Sequence, residues 1–368
     1  MKKLTDAAIV AALLFVIVLG LGYLWMSKRG PMLTVVTWTE SYGHAQMTAQ
    51  ALPFARASGA DVIIKLYDGG TKEIAREVAS KQYNWDVIDL EGPDAVAACR
   101  QGLLEPIDAA MLPAAPNGTP AADDFVPRAI GPCWVASVVY SQVIAYRPHG
   151  FGGAEPSTLA DFFDVKRFAG PRALNKASAK LNLEMALLAD GVAPNDVYAV
   201  LSTPQGVHRA LAKLDTIRGD LVWWTWASGP AQMLADGRAA FVSMPNWAVF
   251  DADTNAGRNL GIIWDRQLYE VEALGVPKGD PRRRLAMDYI RFATAAPQLG
   301  RMASWVAYGP ARRSALLLVQ PNPELKLAMT PYLPTAHFAT AFAVDDRWWN
   351  EHGAGIEPLW QSWAAKGK

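Results

Sequence analysis

From residue 33 onward the chain alternates short apolar runs with amphipathic ones. LTVVTW (33–38), DVIIKL (61–66) and WDVIDL (85–90) have the length and β-branched content of buried strands. Between them, AQMTAQALPFARA (45–57), with Pro53 an expected interruption, and TKEIAREVAS (71–80) have helical character. A further helix starts near Pro93 and stops before Gly102. Strands separated by about ten to fifteen helical residues predict right-handed βαβ units and a parallel sheet. Ligands of such sheets sit beyond the carboxyl ends of the strands. Those ends carry Trp38, Glu40 and Tyr42, then Tyr67 and Asp68, then Asp89 and Glu91.

The apolar run VASVVYSQVIAY (135–146) is too long for one ordinary strand and predicts a crossing between two lobes. Before it, residues 111–124 are rich in Pro, Ala and Gly and read as a surface loop. A second α/β pattern follows. Ser157 caps TLADFF, Gly191 ends LNLEMALLAD, Ser202 opens TPQGVHRALAKL, and DLVWWTW is a strand. Ser228 and Pro230 begin the next helix, and AAFVSMP is another strand. A β-rich run at 269–279 crosses back, and RRRLAMDYIRFATA is the clearest amphipathic helix. The expected fold is α/β and two-lobed, with a hinge of two crossing segments. Residues 31–142, completed by about 272–315, form the first lobe. Residues 143–271, with the C-terminal helices of about 316–368, form the second.

The segment before this pattern differs. Lys2 and Lys3 precede an almost wholly apolar run, 7–26, followed by Lys28 and Arg29, which is an export pattern. About twenty residues also suffice to span a bilayer, so residues 1–30 read as a signal peptide or a membrane anchor. Either way the remainder is expected in the periplasm or another extracytoplasmic space, tethered to the inner membrane in the anchor case. The whole chain balances 35 basic against 35 acidic residues, which gives no basic surplus for nucleic acid. Beyond residue 30 there are 31 bases and 34 acids. Cys99 and Cys133 are the two cysteines; in an oxidising compartment an even count favours a disulfide over two buried free thiols. The bridge would close a loop of about 35 residues, worth about 2–4 kcal/mol on the loop-entropy account.

Several stretches together resemble one family. They are WDVIDLEGPDAVAACRQGLLEPID, VYSQVIAYRP, PSTLADFFDVKRFAGPRAL, LLADGVAPNDVY, VWWTWASGPAQMLADGRAAF, GVPKG and YGPARRSA, spread over residues 33–363. In order and spacing the chain resembles the bacterial extracellular solute-binding proteins of ABC importers, nearest the spermidine/putrescine-binding branch. The resemblance implies a type II periplasmic-binding fold, a monomer that closes on a small-molecule ligand, and docking on an ABC permease. It requires no cofactor or metal. The Cys99/Cys133 pair also looks like one in part of that branch.

Polyamine-binding relatives line their cleft with rings and carboxylates, which suit an ammonium group. By position in the motifs, Trp38, Tyr42, Glu91, Trp247 and one of Trp223 or Trp224 are the expected cleft residues, with Tyr308 of YGP beside them. Trp348, Trp349, Trp360 and Trp363 are expected to pack a terminal helix. The sequence departs from the polyamine pattern at ALNKASAK and NWAVFDA, where Asn175, Lys176, Ser178 and Val249 stand in place of acids. Fewer carboxylates argue for a small amine, polyamine-like or zwitterionic, with Lys176 and the helix start at Ser228 receiving an anionic end. Two alternatives share the fold: a membrane-tethered ligand sensor, and a secreted enzyme using Cys133 as nucleophile, which requires a free thiolate. The five histidines form no zinc pattern, and no phosphate loop or Gly-x-Ser-x-Gly elbow occurs.

Overall fold

A computed structural model describes residues 30–366 apart from 39 and 226–228. The apolar run 7–26, the side chain of Glu40, Trp226 and the Ser228 cap lie outside the described residues. Eight strands form one continuous path: β1 (Met32–Thr37), β2 (Asp61–Leu66), β3 (Val87–Glu91), β4 (Val135–Tyr146), β5 (Arg172–Asn175), β6 (Leu221–Trp224), β7 (Phe241–Pro245) and β8 (Gly261–Gly275), in the spatial order β2-β1-β3-β8-β4-β7-β5-β6. β1 is parallel to β2 and β3, and β5 is parallel to β6 and β7. The two parallel trios are joined through β8 and β4, which run antiparallel to each other.

These two strands are long enough to belong to both halves. Val135, Ala136 and Val139 enter an apolar core built from residues between Leu33 and Val139 and between Tyr269 and Ala315. Ile144 and Tyr146 enter a second core, drawn from residues between Ile144 and Leu268 and between Phe342 and Ala364. The ladder between β4 and β8 slips at Ala136/Val138 and at Gln142/Ile144. β8 begins at Gly261, earlier than the crossing expected at 269. Residues near Met329 and Leu333 pack with Phe250, Ala303 and Ala307, so this part of the C-terminal region touches both halves.

Local chemistry explains several departures from the sequence reading. Pro53 does not end its helix. Helical backbone runs from Glu40 to Ser58 with a wider π-turn at Met47–Ala51 just before the proline, where Leu52 N–H donates to Met47 O. A proline removes a donor and crowds the carbonyl four residues back; the wider turn absorbs both effects. The caps expected at Ser157 and Ser202 fall one residue later. Thr158 accepts from Asp161 N at 3.3 Å while the Asp161 carboxylate accepts from Thr158 N at 2.9 Å. Thr203 accepts from Gly206 N at 3.0 Å. Thr158→Ala is expected to lower stability by about 1 kcal/mol, measured by urea unfolding.

Cys99 and Cys133 form a disulfide between the Gly92–Arg100 helix and the entry to β4. The cysteine-nucleophile alternative needs a free thiol, and neither cysteine is free. The terminal helix Asp346–Ala365 accounts for four tryptophans, all buried. Each indole N–H has a partner: Ser202 for Trp348, Glu184 for Trp349, Lys176 O for Trp360 and Asp215 for Trp363. Among the described residues no helix is long and apolar enough to cross a membrane.

Candidate functional site

In a strand, alternate residues share a face. On β8, Tyr269, Val271 and Ala273 fill the first core, which turns Glu270 and Glu272 to the opposite side. Register then assembles an acidic surface. Glu91 of β3 lies opposite Glu272, Tyr140 of β4 lies opposite Glu270, and Asp89 stands two residues before Glu91.

Aromatic rings wall this surface. Trp38 follows β1 and packs on Tyr67 with centroids 5.0 Å apart. A Cβ on Gly69 would sit 3.0 Å from the Trp38 ring, so the glycine permits this close approach, and its φ of 82° suits glycine. Tyr308 contacts Tyr42 and Tyr140 edge-on at 5.1 and 6.3 Å. Tyr42 is buried and donates to Asp89 Oδ2 at 3.1 Å, and Gln46 donates to the same oxygen at 2.8 Å.

The carboxylates are under electrostatic stress. Burial pushes Asp89 up to about 7 even though Tyr42 and Gln46 stabilise its charge. Burial, then the charges of Asp89 and Glu91, holds Glu272 well above the ordinary range; the Trp38 indole is a favourable polar neighbour. Glu91 reaches solvent but is crowded by protein, and burial followed by Glu270 and Asp94 raises it as well. Two buried carboxylate oxygens here have no hydrogen-bond partner among the described residues: Asp89 Oδ1 and Glu272 Oε2. Unpaired buried polar atoms are costly, and a carboxylate oxygen of this kind is satisfied only by a donor. Lys180 donates to Glu270 and, at 2.7 Å, to Asp346.

The expected residues divide. Trp38, Tyr42, Glu91 and Tyr308 come together. Trp247 stands at the start of the Asn246–Ala256 helix, beside Asn246, whose side chain accepts from Ser141 N and donates to Ala307 O and Tyr332 O. Val249 is buried, and Asp251, four residues beyond Trp247, is close enough to Tyr308 to raise its pKa. For Trp223 and Trp224 the structure corrects the expectation. Trp223 packs edge-on against Trp360 and Trp363 at 5.9 and 6.1 Å, and Trp224 is buried with its N–H donated to Ser243 O at 3.0 Å. Lys176 closes β5, bonded through its backbone to Trp224 O and Trp360. Sequence reading passed over Glu270, Glu272, Tyr140, Lys180 and Asp346; the alternation in YEVEALG was the available signal for the first two.

A cavity of about 500 Å³ adjoins Glu270 and Asp346 between the Gly92–Arg100 and terminal helices. Its arginines are engaged: Arg128 with Asp345 at 2.6 Å, and Arg100 and Arg347 with Glu351 at 3.4 Å. It offers no free cation to an anionic ligand comparable with the anionic surface on β3 and β8. Among the described residues no group of three or more His, Cys, Asp or Glu forms a metal site.

Comparison with known proteins decides the family: residues 49–331 match the family model described as bacterial extracellular solute-binding protein. The chain belongs to this family. The solute-binding protein is 36% identical over 334 residues to the gamma-aminobutyric acid-binding protein of Pseudomonas aeruginosa, covering 91% of each chain. It superposes on the structure of the Atu4243–GABA receptor with a TM-score of 0.73, 29% identity, and coverage of 91% of this chain and 98% of that one. The MotA protein of A. tumefaciens B6 in complex with glucopine gives a TM-score of 0.69 and 26% identity over 90% and 99% of the chains. The two-lobed periplasmic-binding fold is thus shared with solved structures. Membership makes the chain a small-solute-binding component of ABC uptake and places it outside the cytoplasm. These relatives are named for GABA and glucopine, whereas the sequence resemblance pointed to the spermidine/putrescine branch.

Proposed function

We propose that this solute-binding protein captures a small solute carrying one ammonium group and an anionic end, of the ω-amino acid type, and delivers it to an ABC permease by closing its two halves. The observation that carries the reading is the acidic face of Asp89, Glu91 and Glu272, with unpartnered buried oxygens, walled by Trp38, Tyr140 and Tyr308. A cation fits such a place because it neutralises crowded carboxylates and meets ring faces at once. In this reading Asp251, on the Asn246–Ala256 helix, belongs to the facing wall, being near enough to Tyr308 to raise its pKa, with Trp247 at the start of the same helix, and Lys176, just after β5, would meet the anionic end. The names of the GABA-related relatives agree with a zwitterion. Closure is stabilised only by the ligand's greater affinity for the closed form.

Calorimetric titration with GABA, other ω-amino acids, putrescine, glucopine and neutral sugars tests this. ω-Amino acids are expected to bind tightest; binding of sugars or simple anions alone would discard the reading. Trp38→Ala is expected to weaken the amine ligand by about tenfold, in line with about 0.5–2 kcal/mol for a cation over an indole, with the same titration as the measurement.

A further inference from the structure

The acidic surface is larger than a single ammonium needs. It continues from Asp89, Glu91 and Glu272 to Glu270 and then to Asp346 at the start of the terminal helix. Gly92 makes that continuity possible, since a Cβ there would stand 2.2 Å from Asp346 Oδ2. The two parts are in different states. In the first, Asp89 Oδ1 and Glu272 Oε2 are buried without partners. In the second, both carboxylates already hold the ammonium of Lys180, whose side chain is 17% exposed.

We infer that Lys180 is a built-in second ammonium, filling the Glu270–Asp346 end of the acidic surface so that the site accepts solutes with one ammonium and rejects diamines. This rests on the proposed amine-binding function. Glu270 and Glu272 lie two residues apart on one strand, about 7 Å along it, a span that the two nitrogens of a four-carbon diamine can bridge. With Lys180 in place, the second nitrogen of such a ligand meets a resident cation and loses its carboxylate partner.

The backbone holds the lysine to this task. Leu181, the next residue, has φ 72° and ψ −38°, a conformation costly for a branched side chain. It is held there by the buried Glu184, which accepts from Leu181 N at 2.8 Å, and by Asn182, which donates to Asn175 O and Ser178 O at 2.9 Å. A fold seeking stability alone gains little from one lysine between two buried carboxylates, because desolvation offsets much of the attraction and one negative charge remains. The same geometry serves selectivity directly.

The test compares putrescine and GABA by calorimetry on the wild type, Lys180→Met and Lys180→Gln, with thermal unfolding of each variant as a folding control. The wild type is expected to prefer GABA over putrescine by at least tenfold. Both variants are expected to shift the putrescine-to-GABA affinity ratio toward putrescine by at least tenfold, and Lys180→Met with Glu270→Gln is expected to lose that gain. GABA binding with an unchanged ratio in the folded variants, or a wild type that binds putrescine as well as GABA, overturns the inference while leaving the amine reading intact. A wild type that binds no amine overturns the underlying reading. If neither variant folds, wild-type competition between putrescine and GABA still decides whether diamines are rejected.

Discussion

Glu272→Gln is expected to weaken the cationic ligand by about a hundredfold, about 2.7 kcal/mol, while raising the melting temperature of the empty protein by about 2–4 °C. The two effects share a cause. Glu272 is buried, faces Asp89 and Glu91, and has one oxygen without a partner, so its charge burdens the empty fold. A ligand ammonium relieves that burden. Glutamine keeps the shape and removes the charge, which helps the empty protein and leaves the ligand without its counter-charge. Calorimetry gives the affinity and differential scanning calorimetry the melting temperature. Unaltered affinity would remove Glu272 from the binding surface.

The second large effect is in pH. Asp89 and Asp346 are each pushed up to about 7, by burial first, from an ordinary value near 4. Lys180 stays charged because Glu270 and Asp346 outweigh its burial, but one lysine does not satisfy both acids. Between about pH 4 and 7 the native state therefore binds more protons at these groups than the unfolded chain, and their contribution to stability falls as pH rises through that window. The ligand competes with the protons at Asp89, since Lys180 already occupies Asp346. The empty protein is expected to melt higher at pH 5 than at pH 8, and the affinity for an ammonium ligand to rise about tenfold or more over the same interval. Thermal scans with and without ligand check both trends. Parallel trends would mean that the carboxylates are already ionised in the empty state.

How far the sequence could be read depended on whether a feature was local. The crossing strand 135–146 was fully legible because its apolar run is bounded by loop residues and Pro148. Trp38 and Glu91 were legible as candidates because strand ends in an α/β sheet sit where ligands gather. Trp223 and Trp224 misled for the converse reason: alternation assigns side chains to faces, but both faces of this sheet are covered, one by the terminal helix more than 120 residues later. Glu270 and Glu272 were visible as alternating acids, yet nothing local says that their strand borders both halves. Lys180 depends on Asp346, far along the chain, and on the backbone turn at Leu181. Only tertiary contact reveals that role.

The position of the acids on β8 has a further consequence. β4 and β8 are the strands that both halves share, which makes them the axle of the closure proposed above, and their ladder slips next to Val138, the residue paired with Glu272. Residues on an axle move least when the doors swing. In the proposed capture of an amine, the solute's nitrogen can therefore meet its anchor while the protein is still open, and the rings and the distant anionic contact arrive afterwards. Capture then begins at the pivot and spreads outward, so a solute lacking the nitrogen is turned away before the halves commit to closing.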